Sequence, residues 1–157
     1  MKELFQFIFE NPEASQLKKQ LQQTVLFQGL SSKELDFFVK KANVRAFKKG
    51  QHVFFEGDPG SVLYVILSGT IHIEKQGTKH ALLATLTKGM FFGEVSLVDN
   101  STRSASAYAA EDSKLFCFFN HDLAQIANHH PRLANKIYQT LAYILSQRLR
   151  LMNERSK

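Results

Sequence analysis

The stretch Phe92–Ala109, FGEVSLVDNSTRSASAYA, sets a carboxylate, Glu94, and a guanidinium, Arg103, among small and apolar residues, with Asp99 in the polar corner between them. Arg103 offers a planar fork of donors shaped for a phosphate. Glu94-Val95-Ser96-Leu97 has room for one helical turn, and a turn begun after Gly93 leaves its first backbone N–H groups unpaired and available to an anion. Gly93 lets a ligand approach the main chain closely. On the returning segment Ser104 and Ala105 add further N–H donors. A carboxylate only accepts, so Glu94 suits a sugar hydroxyl better than a phosphate. An acid for a ribose and an arginine for a phosphate describe a nucleotide monophosphate. The spacing is equally consistent with Glu94 and Arg103 pairing with each other and fixing a loop as an ordinary salt bridge.

Other residue types give catalysis little support. The histidines are His52, His72, His80, His121, His129 and His130, and the adjacent pair points apart on a helix. No H-x-H or H-E-x-x-H spacing is present, so neither a metal site nor a resident cofactor is expected. His72 alternates with Ile71 and Ile73, which predicts that it faces solvent. Cys117, the single cysteine, lies in LFCFF, where a buried and inert thiol is expected. The chain therefore reads as a binding protein and not an enzyme.

These residues must be positioned by elements that fall into three zones. Residues 1–42 are predicted to form two or three short helices: Leu17, Leu21 and Val25 recur every four positions, and Ser31/Ser32 ahead of Glu34 is an N-cap signal. Residues 43–120 change to short apolar runs, NVRAF, HVFFE, SVLYVILS, TIHIEK, HALLATL, SASAYAA and KLFCFF. Turn residues in KKG, GDPG, SG, KQGTK and TKG separate them, the pattern of an all-β sandwich or barrel. In GDPG, Pro59 and Gly60 predict a type II turn with Gly60 at positive φ. Residues 121–157 return to helix, with a break at HHPRL where Pro131 opens a new first turn. The last helix carries two adjoining apolar stripes, Ile137/Leu141/Ile144/Leu151 and Tyr138/Ala142/Leu145/Leu149/Met152, and so must cover something.

A length of 157 residues makes one folded domain, and the 44% hydrophobic and 22% charged residues place it with cytoplasmic globular proteins. No run approaches the roughly 20 apolar residues of a membrane span, and LFQFIFE is interrupted by Gln6, so neither membrane insertion nor a signal peptide is expected. The net charge of +6 favours an anionic partner, but the basic residues are scattered rather than massed on one segment.

The stretch resembles the phosphate-binding cassette of the cyclic-nucleotide-binding domain family. That cassette reads F-G-E-[LIVM]-[AS]-L, a few variable residues, then R-[AST]-A-[ST]. Phe92-Gly93-Glu94-Val95-Ser96-Leu97 and Arg103-Ser104-Ala105-Ser106 match at the expected separation, and KKGQHVFFEGDPGSVLYVILSGTIHI upstream follows the family's glycine-punctuated strands. The resemblance covers roughly Thr24 to Arg150. It implies a mainly β fold with flanking α, a β-jelly-roll (cupin-like) barrel of about eight strands with short N-terminal helices and a C-terminal lid or dimerisation helix. It also implies that the ligand is cAMP or cGMP. Arg103 would hold the cyclic phosphate and Glu94 the ribose 2′-OH, with the backbones of Gly93, Val95, Ser96, Ser104 and Ala105 completing the cage. Ile144 and Arg148, on the last helix, are candidates for capping the base.

The chain departs from the pattern at Thr102, where the family often has proline, and at Ser61, where many members carry an acid. Ser104 leaves cAMP against cGMP preference open. No winged helix-turn-helix follows the last helix before Lys157, so sequence-specific DNA binding is not expected, and output would pass to a separate effector protein. A homodimer through the C-terminal helix fits the same pattern. The alternative to a sensor is a ligand-free scaffold that uses LFQFIF and the last helix for protein contacts.

Overall fold

The computed structural model describes residues 11–77 and 81–155. The chain enters through α1 (Pro12–Gln22), a single 3-10 turn (Val25–Phe27) and α2 (Ser32–Lys40). Their starts follow from the capping chemistry in the sequence. The Asn11 side chain accepts from the amides of Glu13 and Ala14, and Pro12 occupies the first turn, where no amide is needed. Ser31 and Glu34 form a reciprocal capping box at 3.3 and 2.7 Å. An ion pair between Lys18 and Asp36 ties the two helices together.

Eight strands follow: β1 (Asn43–Phe47), β2 (His52–Phe54), β3 (Val62–Ser68), β4 (Thr70–Lys75), β5 (Ala81–Thr87), β6 (Phe91–Phe92), β7 (Ser106–Ala109) and β8 (Ser113–Phe119). They make two four-stranded antiparallel sheets, ordered β1-β8-β3-β6 and β2-β7-β4-β5, and together form the jelly roll. A short helix, α3 (Glu94–Asp99), lies between β6 and β7, and α4 (Asn120–His129) and α5 (Pro131–Arg155) end the described chain. Among the described residues no helix is long and apolar enough to cross a membrane.

The continuous apolar runs of β3 and β8 have a physical reason. Their sheet is covered on both faces, so both sets of alternating side chains are buried. Leu63, Val65, Phe116 and Phe118 face the helices, joining Leu21, Phe27, Leu35, Ile126, Ile137 and Leu141 in one cluster. Tyr64, Ile66, Leu115 and Cys117 face the barrel interior with Ile71 and Ala107. Burial there pushes the Cys117 thiol up to about 11, which keeps it protonated near neutral pH.

One local expectation is corrected. The turn before β3 lies three residues earlier than the Pro59-Gly60 pair suggests: Asp58 N–H donates to Phe55 C=O at 3.1 Å, and Gly57, not Gly60, has φ of +86°. Gly60 is needed for close approach instead, because a Cβ there would lie 2.0 Å from the Ser96 Cβ on α3. His72 lies on the face of β4 opposite Ile71 and Ile73, as the alternation predicts, and is partly exposed there, its Nδ1 standing 3.1 Å from the Tyr108 hydroxyl, which donates to Glu74 at 3.0 Å. The apolar LFQFIF segment and His80 lie outside the described residues.

Candidate functional site

The site begins where β6 ends. Gly93 turns the chain at φ of +80°, and a Cβ there would lie 2.7 Å from Arg103 Nη1 and 2.8 Å from the Val62 carbonyl oxygen. Gly93 therefore admits the arginine side chain as well as the backbone turn. From it α3 runs for six residues and stops at Asn100, which takes the left-handed conformation at φ of 54°. The Asp99 carboxylate accepts from Ser101 N–H at 2.9 Å and fixes the corner. Thr102, at the proline position of the sequence pattern, forms an isolated β-bridge with Pro59.

Arg103 is then fixed from both sides. Its own N–H donates to Asp58 C=O at 2.8 Å, and its C=O accepts from Gly57 N–H at 2.9 Å, so the Gly57–Asp58 turn sets its backbone. The residue is 4% exposed. Nη1 donates to Gly93 C=O at 3.2 Å and Nη2 to Val62 C=O at 2.7 Å, while the guanidinium carbon lies 4.2 Å from the Phe54 ring centroid. Nε is buried with no hydrogen-bond partner. Burial pushes this guanidinium below its ordinary pKa, with Tyr64 and Asp58 acting in the opposite direction. Among the described residues no carboxylate forms an ion pair with it. A buried cation with an unused donor is a costly arrangement that an anion would relieve.

Glu94 does not pair with Arg103, which removes the ordinary salt bridge between them. Its partner is Arg148, which reaches down from α5. The Glu94 side chain is 5% exposed and that of Arg148 47%. The Arg148 guanidinium also lies 5.6 Å from the Phe91 ring centroid, and burial pushes its pKa down.

Gly93, Glu94, Val95, Ser96, Arg103, Ser104, Ala105 and Arg148 all line one cavity of about 530 Å³, within the range of roughly 300–1,000 Å³ that holds small molecules. Ser96 and Ala105 are buried, Val95 and Ser104 exposed, and the Ser104 carbonyl accepts from Lys75 Nζ at 2.7 Å. Ile144 is not part of this lining: it is half-buried against the helical cluster. Side chains that the sequence reading did not single out complete the wall, among them Phe54, Ile73, Ala84 and Leu86, with Met152 at the rim. Strand alternation carries the signal for Ala84 and Leu86, which pair with Ile73 and Ile71 on β4. A second groove of about 590 Å³ runs beside α1, lined by Glu13, Lys40 and Lys114, but it contains no buried charge.

The arrangement offers a phosphate-sized anion a buried guanidinium and nearby main-chain donors, and offers a hydroxyl donor a buried carboxylate. A family model described as the cyclic nucleotide-binding domain matches residues 44–130, from β1 to the end of α4. The chain is 36% identical over 127 residues to a Cyclic AMP receptor protein of Thermus thermophilus, covering 80% of this chain and 57% of that protein. It thus spans little more than half the length of that relative. Among solved structures, the Thermus thermophilus Catabolite Activator Protein is similar with a TM-score of 0.75 and 33% identity, over 84% of this chain and 61% of that one. A cyclic nucleotide-binding domain from Methylobacillus flagellatus shares the fold with a TM-score of 0.82 at 24% identity, over 90% of this chain and 83% of that one.

Proposed function

Since the chain belongs to the cyclic nucleotide-binding domain family, we propose that it is a non-catalytic sensor that binds cAMP or cGMP in the cavity beneath α5. In this proposal, movement of α5 passes the signal to a separate effector protein. The observation that carries the reading is Arg103, buried to 4% exposure with its Nε unpartnered and with no carboxylate in an ion pair with it among the described residues. A cyclic phosphate supplies the missing anion and acceptor in one group. The backbones of Gly93, Val95, Ser96, Ser104 and Ala105 complete the cage, and Glu94 takes the ribose 2′-OH. The name of the Thermus thermophilus relative favours cAMP; Ser104, exposed at the cavity wall, leaves the choice between the two bases open.

A second reading keeps the fold as an interaction scaffold without ligand. It is favoured by α5, which exposes Tyr138, Tyr143, Leu149 and Leu151 and so presents an apolar surface to a partner or to a second copy of the chain.

Thermal unfolding with each nucleotide separates the readings. At a ligand concentration of 100 times Kd the sensor gains about 2.7 kcal/mol, and the nucleotide giving the larger Tm increase at equal concentration is the preferred one. A Tm unmoved by either cAMP or cGMP assigns the scaffold role.

A further inference from the structure

We propose that Lys75 is a positioning residue for nucleotide binding: from outside the cavity it holds the Ser104–Ala105 peptide so that the Ala105 N–H faces the phosphate. The proposal rests on the reading of the cavity as a cyclic-nucleotide site. Lys75 ends β4 and is not part of the cavity lining, whereas Ser104 and Ala105 are. Its Nζ donates to the Ser104 C=O at 2.7 Å. Across a trans peptide the carbonyl and the next N–H point to opposite sides, so a carbonyl drawn out to Lys75 turns the Ala105 N–H inward. Ala105 is 7% exposed, and among the described residues its N–H has no hydrogen-bond acceptor. A buried amide donor without an acceptor is costly, and a phosphate oxygen supplies one.

Lys75 is itself held. Glu56 Oε1 lies 3.0 Å from Lys75 Nζ, and Glu56 Oε2 accepts from Gln76 N–H at 2.9 Å, so one carboxylate fixes the end of β4 by side chain and main chain together. Glu56 N–H donates to Ser106 Oγ at 2.8 Å, and the neighbouring Gly57 N–H donates to Arg103 C=O at 2.9 Å. The returning segment is thus braced at Arg103, Ser104 and Ser106, on either side of Ala105. With side chains 50% and 26% exposed, the Lys75–Glu56 pair adds little to stability, and its effect falls on the geometry of that segment. Positioning and plain charge attraction have opposite signs at Glu56. A lysine that drew phosphate in by charge alone would work better without a carboxylate beside it. A lysine that orients the peptide works less well once Glu56 no longer holds it.

The test is calorimetric titration of the whole chain with cAMP and with cGMP, on the wild type and on Lys75→Met, Lys75→Arg and Glu56→Gln. Lys75→Met is expected to bind about fivefold more weakly and Glu56→Gln about threefold more weakly. Lys75→Arg keeps cationic donors for both partners and is expected to stay within about twofold of the wild type. The Tm of the unliganded variants is expected to stay level. Saturating nucleotide should move the Ala105 backbone N–H resonance downfield in the wild type and less so in Lys75→Met, a difference that a merely stabilising contact would not produce. Level affinity in Lys75→Met, level or tighter binding by Glu56→Gln, no recovery in Lys75→Arg, or equal Ala105 shifts overturns the positioning role alone. Absence of binding by wild type and variants alike, with either nucleotide, overturns the sensor reading and the positioning role with it.

Discussion

Replacing Arg103 by alanine is expected to weaken cyclic-nucleotide binding by about 2–5 kcal/mol, roughly 30-fold to several thousand-fold in Kd. Stability should change far less. The guanidinium is buried with no ion pair among the described residues, so its desolvation opposes its favourable contacts in the unliganded protein. Those contacts are hydrogen bonds to Gly93 and Val62 carbonyls and stacking over Phe54. Deleting the side chain removes the cost and the contacts together, and the net effect on unfolding in urea should stay near about 1 kcal/mol. Arg103→Lys keeps a charge but loses Nε and the planar fork, so it should recover little of the lost affinity. Unchanged affinity together with a large loss of stability would make Arg103 a structural residue.

The next largest effect is expected at Glu94, and it is read most cleanly with a ligand pair. Wild-type protein should bind the 2′-hydroxyl nucleotide more tightly than its 2′-deoxy analogue by about 1.5–3 kcal/mol, the ordinary value of a hydrogen bond to a charged group. In Glu94→Ala that preference should collapse to less than about twofold. The comparison is insensitive to the second consequence of the substitution, loss of the Arg148 partner, because that acts on both nucleotides equally. A 2′-deoxy penalty that persists in Glu94→Ala would place the ribose elsewhere.

Most of the barrel and its cassette were legible because they are written in local spacing. Phe92 to Ser106 carries its turn glycine, its short helix and its returning strand in one continuous stretch, and all seven cage residues expected from it line the same cavity. The capping box at Ser31 and the helix restart at Pro131 were likewise local. What was not legible depended on distant packing. Pro59-Gly60 has the chemistry of a type II turn, but the need to clear Ser96 decided where glycine was required. Strand β6 is two residues long and too short to show alternation. Ile144 and Arg148 are one helical turn apart, yet only the second reaches the cavity, because α5 leaves the helical core between them. The partner of Arg148 could not be read from the helix at all, since it comes from the way α5 returns across the barrel to α3.

A nucleotide phosphate that takes up the unpartnered Nε of Arg103 is reported directly by the arginine Nε–H resonances. In a two-dimensional 15N–1H spectrum that includes the arginine side chains, adding cAMP or cGMP should move one Nε–H cross-peak strongly downfield and slow its exchange with water. The same peak should be missing from Arg103→Lys. A saturating nucleotide that shifts backbone amides of the cassette but leaves the Arg103 Nε–H where it was would place the phosphate away from Arg103, and one that shifts nothing would mean that this cavity holds no cyclic nucleotide.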